Sequence, residues 1–263
     1  MKIGIIGCGN MGRAILGGLI KSGAASSQEV VVSDASEANR LDAEEKFGVR
    51  TFSENAACAK EADLVVFAVK PGVLPLAAAD VRDVLREEQT VLSIAAGKSL
   101  SDLEALLGKK KIVRAMPNTP ALVSEGITAW CGNEKIGEPE KAMVRTVLSS
   151  LGRCIEVREE LMSAVTAVSG SSPAFVFLFL EAMADAAVAE GMPRKEAYTF
   201  AAQTSLGSAK LYLETEKHPG ELKDMVCSPG GTTIEGVAEL EKNGFRAAVI
   251  AAVRAAAEKA RSL

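Results

Sequence analysis

The chain has 263 residues, 48% of them apolar and 24% charged, and carries a formal net charge of −4. That balance supplies no basic field for nucleic acid or an anionic membrane, and aromatics at 4% are too few for base-stacking platforms. The single histidine, His218, excludes a histidine zinc cluster and leaves little room for a Ser-His-Asp triad.

In chain order, apolar runs predict strands at 2–6, 29–33, 63–69, 90–95, 111–116, 126–131 and 154–157. Helical patterns separate most of them, as in 11–23 and 36–48; in the first, Ile15, Leu19 and Ile20 share one face. Strands alternating with helices mean an α/β fold, a Rossmann-like, mostly parallel, doubly wound sheet over residues 1–157. Beyond about residue 160 only helices are expected, at 159–170, 172–191, 193–215, 218–226, 230–244 and 245–263, forming an all-α domain over 158–263. Its apolar surface exceeds what one small bundle can cover, which implies packing against another copy. The run PAFVFLFLEAMADAAVAEGM is broken by Glu181, Asp185 and Glu190 and reads as a buried helix of a soluble protein, not a membrane span. The opening MKIGIIGCGN does not read as a signal peptide. Five scattered cysteines with no C-x-x-C pair suggest reduced thiols and a cytoplasmic protein.

The turn Gly7-Cys8-Gly9-Asn10-Met11-Gly12 has G-x-G-x-x-G spacing between a predicted strand and a predicted helix, the context that gives this pattern its meaning. Gly7 permits the tight turn, Gly9 admits a pyrophosphate, and Gly12 allows close helix–sheet packing. Asp34 stands at the end of the second strand, where an acid can hold a ribose or merely cap the next helix; Ser33, Ser36 and Arg40 could instead serve a 2′-phosphate. AVKP (68–71), AAG (95–97) and the proline-bearing AMPNTP (115–120) end later strands at the rim where ligands of such sheets bind. In the helical half, CSPGGTTIEGV (227–237) places Pro229, Gly230 and Gly231 ahead of Thr232 and Thr233, a corner suited to a small anion. VSGSSPAF (168–175) reads as a similar corner, and His218, ahead of Pro219 and Gly220, as a turn residue. No strong base accompanies these corners. A carbonyl or alcohol would need one, whereas an imine nitrogen takes its proton readily from water, so the pattern suits reduction of a C=N bond in a small carboxylated molecule.

The runs IGIIGCGNMG, FAVKP, SIAAG, RAMPNTPALV, SGSSPAFVF, EAMADAAVAEGMPR, HPGELKDMVCSPGGTTIEGV and GFRAAVI span the chain. In them the sequence resembles the pyrroline-5-carboxylate reductases. The resemblance implies reduction of L-1-pyrroline-5-carboxylate to L-proline, the last step of proline biosynthesis, with NADPH as cofactor and NADH accepted by some members. It implies a homodimer through the C-terminal helices that often assembles into a decamer. By the same resemblance the dinucleotide contacts Ile6, Gly7, Cys8, Gly9, Asn10, Met11, Ser33, Asp34, Ser36, Asn55, Ala68, Val69, Lys70, Pro71, Ala95, Ala96 and Gly97. The cyclic imino acid rests on Gly230, Gly231, Thr232 and Thr233, with its carboxylate on Gly231 and Thr232 and the Thr233 hydroxyl facing the ring nitrogen as the catalytic group. Asp34 departs from a turn that in the family is often free of acid. The alternative is a β-hydroxyacid dehydrogenase, a family that resembles this one in architecture but carries a catalytic lysine on the helix after the S-G-x-G corner; the helix after SGSSP here begins AFVFLFLEAM, without lysine.

Overall fold

A computed structural model describes residues 1–262. The chain divides into two units, one of Met1–Gly170 with the segment from Ala256 onward, and a second of Ser171–Ala255.

The first unit is built on a sheet of eight strands, β1 Ile3–Ile6, β2 Val30–Ser33, β3 Arg50–Phe52, β4 Leu64–Phe67, β5 Thr90–Ser93, β6 Lys111–Met116, β7 Gly126–Gly132 and β8 Gly152–Glu156, in the order β3-β2-β1-β4-β5-β6-β7-β8. The first six run parallel, with Ile3 beside Val30 and Leu64; β7 is antiparallel to β6, and β8 is parallel to β7. Strands β1, β2, β4 and β5 are buried at every residue, as central strands covered on both faces must be.

Alternation along the strands assigns the two faces. Ile3, Ile5, Val30, Val32, Leu64 and Val66 pack with α1 (Asn10–Ser22), α2 (Glu37–Phe47) and α6 (Glu138–Ser149). Val65, Phe67, Val91 and Ile112 pack with α3 (Asn55–Glu61), α4 (Leu74–Arg82) and α5 (Leu100–Leu107). Ile15, Leu16 and Leu19 put one face of α1 wholly in the core. Behind β1, a side chain at Gly4 would meet the Cys58 sulfur at 3.2 Å, and burial pushes the Cys58 thiol up to about 12. Gly126 and Gly152 begin β7 and β8 with their backbones in contact. A Cβ at Gly152 (φ +128°) would lie 2.2 Å from the Gly126 carbonyl oxygen, and one at Gly126 would lie 2.8 Å from that of Leu151.

The strand β3 was not foreseen. It is three residues long, sits on the sheet edge, and its RTF sequence lacks the apolar run that marks a buried strand.

The helical region holds α7 (Met162–Val165), α8 (Ser172–Ala189), α9 (Arg194–Thr215), α10 (Pro219–Val226), α11 (Thr232–Lys242) and α12 (Phe245–Arg261). Two expectations are corrected there. The SGSSP run is not a corner opening a new helix: residues Thr166–Ser171 form a π-helical segment that leads directly from α7 into α8. Pro173 has no N–H and its ring crowds the carbonyl four residues back; a widened turn accommodates both without ending the helix. The apolar α8 is not buried either. Ala184 is its one buried residue among those described, while Phe177 and Leu178 are 63% and 68% exposed. Helix α8 meets α9 through small residues, Ala184 on one and Ala197 and Ala201 on the other being buried, so the large side chains are left outside.

Gly18 lets α1 lie against the end of α6: an added Cβ would stand 2.6 Å from the Ser150 carbonyl oxygen. Gly18→Ala is expected to lower stability by about 1–3 kcal/mol, read as a lower denaturant midpoint with an unchanged slope.

Candidate functional site

The chain leaves β1 and turns at Gly7, whose φ of +96° favours glycine. A Cβ there would also strike the Val69 side chain at 2.8 Å. The Gly7 N–H donates to the Ser33 carbonyl at 2.8 Å. At Gly12 an added Cβ would lie 2.1 Å from the Gly7 carbonyl oxygen, so the first turn of α1 closes on the loop that precedes it. At Gly9 an added Cβ would meet nothing within 4 Å. Gly7 and Gly12 are thus demanded by the fold, whereas Gly9 faces open space. Helix α1 begins with no side-chain cap and no acid in its first turn, so its leading amides present partial positive charge outward.

Two cavities adjoin this turn, of about 360 Å³ and 520 Å³, and share Gly9, Ala68, Val69 and Lys70 as walls. The first adds Gly7, Asp34 and Asn55, and the second Asn10, Met11, Pro71, Ala95 and Ala96. Most of the rim foreseen for the dinucleotide is therefore brought together. Five expected residues, Ile6, Cys8, Ser33, Ser36 and Gly97, line neither cavity. Ile6 and Cys8 are fully buried, and burial raises the Cys8 thiol against the opposing pull of Arg13. Ser33 is buried and donates its hydroxyl to Asn55 Oδ1 at 2.9 Å, while Asn55 Nδ2 donates to Asp80 Oδ2 at 2.9 Å. Gly97 (φ +72°) turns the chain after β5.

At the end of β2 the Asp34 carboxylate accepts hydrogen bonds from the amides of Cys8 and Ser36. Ser36 itself is the N-cap of α2, accepting from the Asn39 amide at 3.4 Å. Arg40 Nη1 donates to the carbonyl oxygens of Asp34 and Ala35 at 2.7 and 3.2 Å.

Met116 and Pro117 also line the larger cavity and were not named individually; the AMPNTP run had marked that rim. Glu159 had been given no role. Its Oε1 accepts from the Leu100 amide at 2.7 Å and pairs with Arg114 at 3.0 Å, fastening the start of α5.

In the helical unit, Gly230 (φ +65°) and Gly231 precede α11. The Gly231 N–H donates to the Ser228 carbonyl at 3.1 Å, and a Cβ on Gly231 would stand 2.3 Å from Ser228 Oγ. No side chain caps α11, so the amides of its first turn, beginning with Thr232 and Thr233, have no side-chain acceptor and carry the partial positive charge of a helix start. Thr233 is half-buried and Thr232 exposed. His218 caps α10, its Nδ1 accepting from the Gly220 amide at 3.1 Å, as expected of a turn residue.

The glycine turn with its two adjoining cavities fits a dinucleotide: Gly9 leaves room for a diphosphate and the α1 terminus supplies donors for it. A family model described as "Pyrroline-5-carboxylate reductase dimerisation" matches residues 159–263, and one described as "NADP oxidoreductase coenzyme F420-dependent" matches residues 2–97. The chain is 49% identical over 263 residues to the pyrroline-5-carboxylate reductase of Escherichia coli K12, covering 100% of this chain and 98% of that one. Among solved structures, a pyrroline-5-carboxylate reductase from Coxiella burnetii superposes with a TM-score of 0.94 at 38% identity, covering 99% of this chain and 97% of that one. The Plasmodium falciparum pyrroline carboxylate reductase, solved with NADP bound, gives 0.89 at 32% identity, with 100% and 97% covered. Likeness at this level runs from the glycine turn through the SPGGTT corner without a gap in coverage, and the chain belongs to the pyrroline-5-carboxylate reductase family.

Proposed function

We propose that the protein reduces L-1-pyrroline-5-carboxylate to L-proline with NADPH. The observation that carries this reading is the uncapped start of α11 behind Gly230 and Gly231, in a chain 49% identical throughout to a pyrroline-5-carboxylate reductase. A dinucleotide bound at the glycine turn supplies the hydride.

The chain's own groups do the rest. The Gly231 amide is engaged by Ser228, so the substrate carboxylate is held by the amides of Thr232 and Thr233 and by the partial positive charge of the α11 terminus. Gly230 and Gly231 keep side chains away from it. The Thr233 hydroxyl faces the ring nitrogen and orients it while the proton comes from water. The scheme assigns no role to the single imidazole, His218, whose Nδ1 caps α10. The β-hydroxyacid dehydrogenase alternative is weaker on both counts: α8 contains no lysine, and the corner that should precede it is a π-helical segment.

The cofactor is a nicotinamide dinucleotide. Preference for NADPH is supported by the β2 corner, where the Asp34 carboxylate is occupied by backbone amides and the Arg40 guanidinium and the Ser36 side chain lie beside it. Assembly as a homodimer through the C-terminal helices is supported by the exposed Phe177, Leu178 and Phe200 and by the dimerisation model over 159–263. The same stretch, Glu159–Ala189, is long and apolar enough to cross a membrane; a second copy is the cover proposed here. Five free cysteines support a cytoplasmic setting.

The direct assay follows absorbance of the reduced nicotinamide with pyrroline-5-carboxylate, in parallel with NADPH and NADH; absence of turnover with both overturns the proposal. Thr233→Ala is expected to lower kcat/KM by about ten- to a thousand-fold, the scale of a lost positioning or charge-stabilising hydrogen bond. Gly9→Ala should leave the melting temperature nearly unchanged while weakening cofactor binding at least about tenfold, because its methyl enters the diphosphate space; Gly12→Ala should lower both. Arg40→Ala should raise KM for NADPH about tenfold more than KM for NADH, measured side by side.

A further inference from the structure

An acid at the end of the second strand of such a fold ordinarily reads a ribose hydroxyl. Here the chain itself uses both carboxylate oxygens of Asp34. Oδ2 accepts the Cys8 N–H at 2.7 Å, and Oδ1 accepts the Ser36 N–H at 2.8 Å. The Cys8 amide lies in the turn between β1 and α1, outside sheet and helix, and Cys8 is fully buried. Water therefore has no easy access to this donor, and losing the carboxylate would leave it without an acceptor. The preceding amide, on Gly7, donates to the Ser33 carbonyl. Two successive residues of the glycine turn are thus stitched to two successive residues of β2 and its end. Arg40 ties the same corner through the carbonyls of Asp34 and Ala35.

We propose that Asp34 is a positioning residue, bracing the glycine turn in the conformation that offers Gly9 and the start of α1 to a diphosphate. This rests on the cofactor site proposed above and assigns the acid to the turn rather than to a ribose. The two roles differ in what they discriminate. A ribose acid favours NADH and repels the 2′-phosphate of NADPH; a brace serves the diphosphate, which both cofactors share.

The test combines amide hydrogen exchange on the cofactor-free protein with fluorescence titration of NADPH and NADH, for the wild type, Asp34→Asn and Asp34→Ser. Asparagine keeps the shape but offers one acceptor oxygen in place of two. Ser36 is exposed, so slow exchange at its amide reports the Asp34 bond directly. Exchange at one of the two amides, Ser36 or Cys8, is expected to be at least about tenfold faster in Asp34→Asn and at both in Asp34→Ser, with Kd rising for both cofactors, about tenfold in Asp34→Ser, and their ratio changing less than about twofold. Unchanged exchange at both amides, or weaker NADH binding with tighter NADPH binding, overturns the brace. Should Asp34→Ser fail to fold, Asp34→Asn and the wild type decide: a wild-type Ser36 amide exchanging as fast as that of exposed Ala35 also overturns it. Failure of the wild type to bind either dinucleotide would refute the cofactor site instead, and the exchange comparison would still judge the brace.

Discussion

The space denied to a side chain at Gly12 governs the rest of the first unit. Helix α1 starts so soon after β1 that its first turn rests on the carbonyl of Gly7, leaving no volume for even a methyl group. That closeness sets the direction of α1, which places Ile15, Leu16 and Leu19 against β1 and its neighbours. It also leaves the leading amides of the helix aimed out of the sheet's carboxyl edge, where the two cavities meet at Gly9. The packing of α1 and its open start follow from one steric fact.

The two glycine corners are built by different means. The turn at Gly7 is embedded: strand β2, Val69 and the Asp34 carboxylate all bear on it. The turn at Gly230 is local, closed by Ser228 alone among the contacts of its glycines, and a half-buried Thr233 stands at its end. Both helices begin without a side-chain cap. A helix start left uncapped forgoes about 0.5–2 kcal/mol that a serine or aspartate there would contribute. Helices α3, α4, α6, α8 and α9 also begin without a side-chain cap, so what sets α1 and α11 apart is the glycine turn ahead of each, Gly7–Gly9 and Gly230–Gly231, which keeps side chains off the helix start.

Much of this was legible in the residues because the relevant signals are local. Buried parallel strands need unbroken apolar runs, and the turn glycines sit where a strand gives way to a helix. What escaped was non-local or short. Strand β3 is held by pairing with β2, not by its own composition. The reversal at β7 had a signal: the link 117–125 is shorter than the roughly dozen residues a parallel crossover needs. The SGSSP run misled because serine, glycine and proline together usually end a helix, whereas here a π-turn absorbs the proline. The engagement of Asp34 by the Cys8 amide joins residues far apart in the chain, and no spacing rule anticipates it.

The meeting of Gly126 and Gly152 bears on how this sheet can drift in evolution. Each forbidden Cβ would strike main-chain atoms, not a partner side chain that could shrink in response. A change at one position therefore has no compensating change at the other. Gly152 is held further by a backbone angle of +128°, which L side chains rarely adopt. The two sites should stay invariant independently and leave no covariation between them, although they touch.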